Sequence, residues 1–463
     1  MHHTVSGINL ACKYKCVYNY NVHDVTELQS SDPNRWKRAA AAPDGSFVAP
    51  HARAETSFGR EQQNDEPVSP RTLNARRLLT FAWPGQPLTA TEFMEGTGLT
   101  RATVLSVCRD LAAAGWFEEV ADARAAGNYA KGRPALRYVF RPDAAYVIAC
   151  DADEDDFTVV VTDLHGVELV RIHRNIGATR TADTRRQLLL DLVDEALSLA
   201  DVAPERVSAI VIAVPAPVDP DGESPADEDE NYWNKVNPGF ISLFDGRGWE
   251  VLVDNDANLA ALCEAAEGAG VGVRSFATLL SAERFGAGIV VDGRLLRGKH
   301  GGVGEMRVLD MVVGVEAPHG LLRRVRWEIR QLAEAGELAG ELAALPPAER
   351  GAEAVFSAAE RGDATALRIV DALAGRLAPV VQLLSGLLDL DRIIVAGSIA
   401  ASAEPVLRRT REIMGKGSLL GWADLVASTH GSDVVLRGAV SSAIALVRER
   451  ALLSEAASAV SAG

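Results

Sequence analysis

Cysteine is scarce in this chain, and what there is sits badly for bridges. The five cysteines in 463 residues, Cys12, Cys16, Cys108, Cys150 and Cys263, are odd in number and mostly scattered; three lie in apolar runs, where a thiol behaves as a small hydrophobe. A disulfide-stapled secreted fold is excluded, and a reduced, cytoplasmic setting is expected. Cys12 and Cys16 stand four apart with no second pair of ligands beside them, so no metal is read there. Long apolar runs are also missing. None reaches the roughly 18 residues that a membrane span needs. Met1-His2-His3 leads into neither a basic region nor a continuous apolar one, so no secretory signal is expected.

Positive charge is in deficit overall, with 47 Lys and Arg against 63 Asp and Glu and a net charge of −16. The deficit is unevenly distributed. Residues 67–140 carry nine basic and six acidic side chains, for a local charge of +3, while residues 141–463 carry −18. One end alone could face nucleic acid, and so modest a surplus suits a dimer better than a monomer.

At about 150 residues per domain the length allows about three domains. Residues 1–66 lack helical or strand periodicity and are crowded with Asn, Ser, Pro and Ala, so they are expected to be a disordered extension. The next segment, 67–141, is organised around Thr91 to Ala114. There Glu92 to Glu95 form a short amphipathic turn, Gly96 and Gly98 interrupt it, and Thr100 is placed to cap a second helix. In that helix Val104, Cys108 and Leu111 recur at i, i+4 and i+7 as one apolar stripe, leaving Arg101, Thr103, Ser106 and Arg109 on other faces. Taken alone, this window fits a packed helical hairpin as well as a helix that enters a major groove.

The flanks add what the window lacks. Leu73 to Phe81 supplies a preceding helix, ended at Pro84-Gly85. Trp116-Phe117, a polar loop to Gly132-Arg133-Pro134, and Leu136 to Phe140 read as strand, loop and strand. Three helices and a hairpin make a winged helix-turn-helix, with Arg133 at the base of the wing.

From Ala144 the pattern changes to α/β. Ala145–Cys150, Phe157–Leu164 and Val167–Val170 read as a three-strand meander, followed by a helix over Asp183–Ala200 and a strand over Val207–Val214. A strand Trp249–Asp254, a helix Asn258–Glu267 and a strand pair turning at Asp292-Gly293 begin a second round. Helices fill most of 321–342 and 352–388. Then come a strand Arg392–Ala396, a helix Glu404–Met414, a last strand Val434–Leu436 and a terminal helix Ala439–Leu453. Two similar α/β lobes over 142–463, with a cleft between them, are expected.

Several stretches in this order resemble the ROK family of repressors, open reading frames and sugar kinases. They are Gly132-Arg133-Pro134-Ala135, Ala213 to Asp219, Asp254-Asn255-Asp256-Ala257-Asn258, Gly286 to Gly293, Gly304-Glu305 and Glu360 to Asp363. The resemblance covers roughly 70–450. It implies a two-lobed actin-like, hexokinase-type ATPase fold behind the DNA-binding segment.

In the family's kinases a glycine-rich phosphate loop lies between the first two strands, so that backbone amides approach phosphate. Here that place holds Asp151-Ala152-Asp153-Glu154-Asp155-Asp156. That puts carboxylates where a triphosphate would lie, and like charges about 4 to 6 Å apart cost roughly 3 to 4 kcal/mol per pair at an effective dielectric near 20, so that several together would abolish nucleotide affinity unless cations neutralised them. The stretch is read as an exposed acidic turn, with a metal cage as the alternative. The second phosphate loop, Ser281 to Gly288, lacks small residues at its front, and the adenosine-side loop is reduced to Ala396-Gly397-Ser398. No ATP, and no other cofactor, is expected.

By resemblance Asp256 occupies the family's general-base position, Asn255 that of a sugar-hydrogen-bonding partner and Glu305 that of another sugar ligand. They are read either as retained for an effector or as a structural Asp-Asn turn, with catalysis last. The family's zinc needs a His three residues after that Glu and three Cys beyond it. Glu305 is followed by Met306-Arg307-Val308, no Cys follows Cys263, and His319 stands alone as a solvated loop residue, so no metal is expected.

The expected function is a sequence-specific transcriptional regulator, a repressor of carbohydrate-related genes, acting as a homodimer or higher homo-oligomer on double-stranded operator DNA. Thr100, Arg101, Thr103, Ser106 and Arg109 would contact DNA, Arg133 would hold phosphate, and Asn255, Asp256 and Glu305 would hold a sugar or sugar-derivative effector. The alternative is an ATP-dependent carbohydrate kinase that retains a DNA-binding arm.

Overall fold

The computed structural model describes residues 69–120, 136–177, 181–226, 232–315, 317–415 and 421–450. The expected disordered extension, the tip of the hairpin and Arg133 lie outside the described residues.

The N-terminal segment comprises α1 (Pro70–Ala82), β1 (Leu88–Thr89), α2 (Ala90–Thr97), α3 (Arg101–Ala113), β2 (Phe117–Val120) and β3 (Arg137–Phe140), with β3 pairing antiparallel to both other strands. Local chemistry sets each boundary. Ser69 caps α1, and Thr89 with Glu92 forms a reciprocal capping box on α2. The helix does not break at Gly96; it runs on to Gly98, whose left-handed backbone (φ 71°) closes it. Thr100 caps α3, its hydroxyl accepting from the Thr103 amide at 3.3 Å, as the sequence indicated. Phe93, Val104, Cys108, Leu111, Tyr138 and Phe140 form the interior.

Beyond it, β4 (Tyr146–Ala152), β5 (Asp156–Asp163) and β6 (Glu168–Asn175) form an antiparallel meander. After α4 (Ala182–Leu199), β7 (Val207–Val214) pairs parallel to β4; after α5 (Tyr232–Val236), β8 (Glu250–Asn255) pairs parallel to β7 and runs into α6 (Asp256–Glu267). The second lobe repeats this plan: meander β9 (Phe276–Ser281), β10 (Phe285–Val291) and β11 (Arg294–Leu296), then helices α7 (Leu321–Glu334), α8 (Gly340–Ala344), α9 (Ala352–Glu360) and α10 (Ala364–Leu388). β12 (Arg392–Ala396) follows, then α11 (Glu404–Met414), β13 (Asp424–Ala427) and α12 (Val434–Arg450). The sheet orders, β6-β5-β4-β7-β8 and β11-β10-β9-β12-β13, match strand for strand.

One expectation fails here. Val434–Leu436 is the first turn of α12, and the last strand is β13 at Asp424–Ala427. A three-residue apolar run does not distinguish strand from buried helix. It is the continuation through Ala439, Ala443 and Val447, all buried, that makes it one stripe of a helix.

The central strands β4, β7, β9 and β12 are buried on both faces, which is why they are almost continuously apolar, whereas the edge strand β6 is largely exposed and polar. In β4 and β7, Val147, Ala149, Ala209, Val211 and Ala213 point to the inner core, and Ile148, Cys150, Ile210, Ile212 and Val214 to the outer one, where α4 packs. On the inner side α12 lies against the first sheet, α6 against the second, and the two helices pack on each other. The same inner core continues into the N-terminal segment through Leu78, Phe93, Phe117 and Phe140. Trp83 stacks on Phe140 at 4.5 Å, its carbonyl meets His165 Nε2 at 2.8 Å, and Arg448 of α12 covers its ring at 4.4 Å. The three-helix segment is thus seated directly on the first lobe.

Candidate functional site

Two surfaces hold the residues singled out in the sequence. The first is the solvent side of α3. Val104, Val107, Cys108 and Leu111 face inward, so 3.6 residues per turn leave Arg101, Ala102, Ser106 and Arg109 exposed on the opposite side. Arg109 is braced by Nε donating to the Leu105 carbonyl at 3.1 Å, while Arg71 of α1 pairs with Asp110 at 2.7 Å. Thr100 and Thr103 have a different position. Their hydroxyls lie 2.9 Å apart within the cap, so they order the start of the helix.

The second surface is where the lobes meet, at the carboxyl ends of the parallel strands. Asn255 is buried and caps α6: its carbonyl oxygen accepts from the Asn258 amide at 3.1 Å, and its Nδ2 donates to the Ala216 carbonyl at 3.0 Å. Asp256, the first residue of α6, accepts from the Ala257 amide at 2.7 Å. Burial, then the charges of Asp153 and Asp151, push the Asp256 carboxyl well above the usual range, with Glu305 adding to the effect. Glu305, on a bridge to Gly286, is also raised by burial, against the opposing pull of Arg284 and Arg307.

The acidic turn is more than an exposed loop. Asp153 and Asp155 are exposed, but Asp151, Glu154 and Asp156 are partly buried. Beneath it the fully buried Arg185 of α4 donates to the carbonyls of Ala152, Asp153 and Glu154 at 3.0, 2.9 and 2.9 Å, and its guanidinium lies 4.8 Å from the Phe157 ring centre. A cation facing backbone carbonyls fixes the turn while leaving its carboxylates free of it. Across the junction Arg284 lies over the Tyr232 ring at 5.1 Å and Arg307 over Trp233 at 5.7 Å. Gly288 has no space for a side chain, since a Cβ would fall 2.2 Å from the Ala257 carbonyl. At this position in β10 glycine serves the packing of α6 against the second sheet.

The lobes are also pinned by charge. Arg297, which follows β11, makes a two-pronged pair with Asp254 at the end of β8, at 2.5 and 2.7 Å. Asp254 is wholly buried, and its Oδ1 also accepts from the Asn255 amide at 2.8 Å and Asn258 Nδ2 at 3.3 Å.

This duplicated sheet plan, with Asn255-Asp256 opening a helix between the lobes, has known counterparts. Residues 147–320 match the model of the ROK family. Over these residues the chain matches a ROK family domain. The Bacillus subtilis xylose repressor is 24% identical over 236 residues, 51% of this chain and 60% of the repressor. A glucokinase of Halalkalibacterium halodurans is 32% identical over 174 residues, 35% of this chain and 53% of the enzyme. The chain thus spans just over half the length of either relative. A ROK family transcriptional regulator described as a homolog of the E. coli MLC protein shares the fold with a TM-score of 0.66 at 21% identity, over 83% of this chain and 98% of its own.

Within the ROK domain the family's zinc does not fit. The residue three after Glu305 is Val308, Met306 is buried as an apolar side chain, and no cysteine lies beyond Cys263. His319 is partly buried instead of solvated, and burial followed by the neighbouring Arg323 and Arg376 holds its pKa down. Sequence reasoning missed Arg185, Arg297, Tyr232 and Arg284, because each acts through a partner remote in the chain.

The acidic turn gives the domain a pH dependence. Burial, then Asp153 and Asp156, push Asp151 up to about 8. The folded protein therefore binds a proton there that the unfolded chain releases near pH 4, and stability falls as pH rises from that point through about 8. Asp151→Asn is expected to flatten this slope and to raise stability at pH 8.5 by on the order of 1–3 kcal/mol. Urea unfolding at pH 5.5 and 8.5 measures it; equal losses with pH in both proteins would contradict it.

Proposed function

We propose that the chain is a sequence-specific DNA-binding transcriptional regulator, a repressor of carbohydrate-related genes. In this reading residues 67–141 are a winged helix-turn-helix head and the ROK domain is a ligand-responsive body without phosphotransfer. The observation that carries it is the exposed Arg101, Ser106 and Arg109 face of α3 on a head that shares one core with a body whose phosphate loop is acidic. Arg101, Ser106 and Arg109 would reach base edges and phosphates, the Thr100–Thr103 cap would set the entering end of the helix, and Arg133 would hold phosphate. A homodimer would place two such helices on half-sites about one DNA turn apart.

A sugar or sugar derivative would bind at Asp256 and Glu305, with Asn255 positioning Asp256 through the α6 cap. The path to the head is short: α6 carries Asp256 and packs on α12, and α12 touches the first sheet and α1. A ligand that changes how the lobes close would move α6 against α12 and so alter the spacing of the two heads.

Arg101→Ala is expected to weaken binding to a selected operator by about 1–3 kcal/mol and to leave binding to unrelated duplex nearly unchanged, as read by fluorescence anisotropy. Equal loss on both duplexes would count against base reading. The second reading, a carbohydrate kinase, draws on Asp256 at the head of α6 and on the similarity to the glucokinase. An ATP-coupled assay over hexoses and amino sugars tests it: turnover abolished by Asp256→Ala would establish it.

A further inference from the structure

Away from both surfaces, three ligand-type side chains meet beside the two central helices. Cys263 and Glu267 stand one turn apart at the end of α6, and His430 comes from the loop between β13 and α12. One donor atom of each lies within 4.8 Å of the other two, and Cys263 Sγ is 3.7 Å from Glu267 Oε1. His430 Nε2 is buried and has no hydrogen-bond partner among the described residues. Its loop is fixed by the His430 amide donating to Ser428 Oγ at 3.1 Å. A buried imidazole nitrogen left without a hydrogen bond beside a thiol and a carboxylate is the donor arrangement that a cation would satisfy.

We propose that Cys263, Glu267 and His430 bind one zinc ion, with water in the fourth position. The donor set selects the metal: sulfur and imidazole nitrogen favour a borderline-soft ion over magnesium or calcium, and three protein ligands of these types suit tetrahedral zinc. On binding, the Cys263 thiol loses its proton to solvent and the Zn–S bond forms; thiolate and carboxylate offset the two charges of the ion, and the Arg437 guanidinium on Glu267 leaves the exposed edge of the site with one positive charge. Arg437 of α12 grips the Glu267 carboxylate at 2.7 and 3.0 Å and orients it toward the thiol, the supporting role that outer-shell partners play at metal sites. This site is separate from the place beside Glu305 where the family zinc would lie. The bound ion would tie the end of α6 to the segment that leads into α12. The inference does not depend on the DNA-binding reading.

Cobalt titration of the chelator-treated full chain tests it. The expected result is one cobalt per chain with a thiolate-to-cobalt charge-transfer band that zinc abolishes. Cys263→Ala should remove the band, and His430→Ala should weaken cobalt binding by at least the roughly 10- to 100-fold typical of outer-shell changes. A Cys12→Ser, Cys16→Ser double variant should keep the band. Because Cys263 is buried and its variant could fold poorly, melting provides an independent reading: zinc should raise the melting temperature of the parent and not that of His430→Ala. Absence of the band, its survival in Cys263→Ala, or a zinc effect on melting equal in parent and His430→Ala would overturn the proposal.

Discussion

Replacing Arg297 with Ala is expected to lower the stability of the protein by about 3–5 kcal/mol, the loss that follows when one partner of a buried ion pair is removed. Asp254 is fully buried, and among the described residues it has, besides Arg297, only an amide and an Asn258 side chain to hold its charge. Neither supplies a cation. The cost is that of a stranded carboxylate, not the net worth of the pair. Changing both ends, Arg297→Met with Asp254→Asn, is therefore expected to recover most of the loss, because the Asn255 and Asn258 hydrogen bonds have a neutral acceptor in place. Urea unfolding of the two variants checks both statements. A single variant within about 1 kcal/mol of the parent would mean that the lobes are not pinned there.

Gly438→Ala is expected to cost about 3 kcal/mol or more, although Ala is the better helix former. Gly438 lies in α12 where that helix crosses α6, and a Cβ there would fall 1.9 Å from the Leu259 carbonyl oxygen. No rotamer relieves a clash of Cβ with backbone, so the helices must separate. Gly375→Ala supplies the control. Gly375 sits in α10, is exposed, and has nothing within 4 Å of its would-be Cβ. There the same change is expected to stabilise by about 0.5–1 kcal/mol. Opposite signs in thermal melts would show that the α6–α12 contact decides; two stabilising substitutions would contradict it. Because α12 also reaches the head, Gly438→Ala is the variant that should blunt any effect of a sugar on DNA binding.

Where local chemistry is strong, the sequence was legible. The Thr100 cap, the Val104, Cys108 and Leu111 stripe and the apolar strands β7 and β12 form as their residues require. Asp292-Gly293 turns between β10 and β11, with both residues at positive φ, as a tight hairpin needs. Val434–Leu436 was illegible because a short apolar run fits either period, and β13 because Asp424-Leu425-Val426-Ala427 has no alternation to reveal it. The sites follow the same division. Asp256 and Glu305 sit in recognisable stretches, whereas Arg185 under the acidic turn, Arg297 on Asp254 and His430 beside Cys263 are partners made by the fold. Sequence separation hides such pairs, since their chemistry exists only after the lobes have formed.

The proposed role of α3 is to read DNA on behalf of the ROK domain. Selection from a random duplex pool with the purified full chain tests it most directly. The expected result is enrichment of one motif, repeated as two half-sites about one helical turn apart, and its loss when Arg101 and Arg109 are both changed to Ala. A pool that stays unenriched with the parent protein, or the same motif recovered by the double variant, would contradict it.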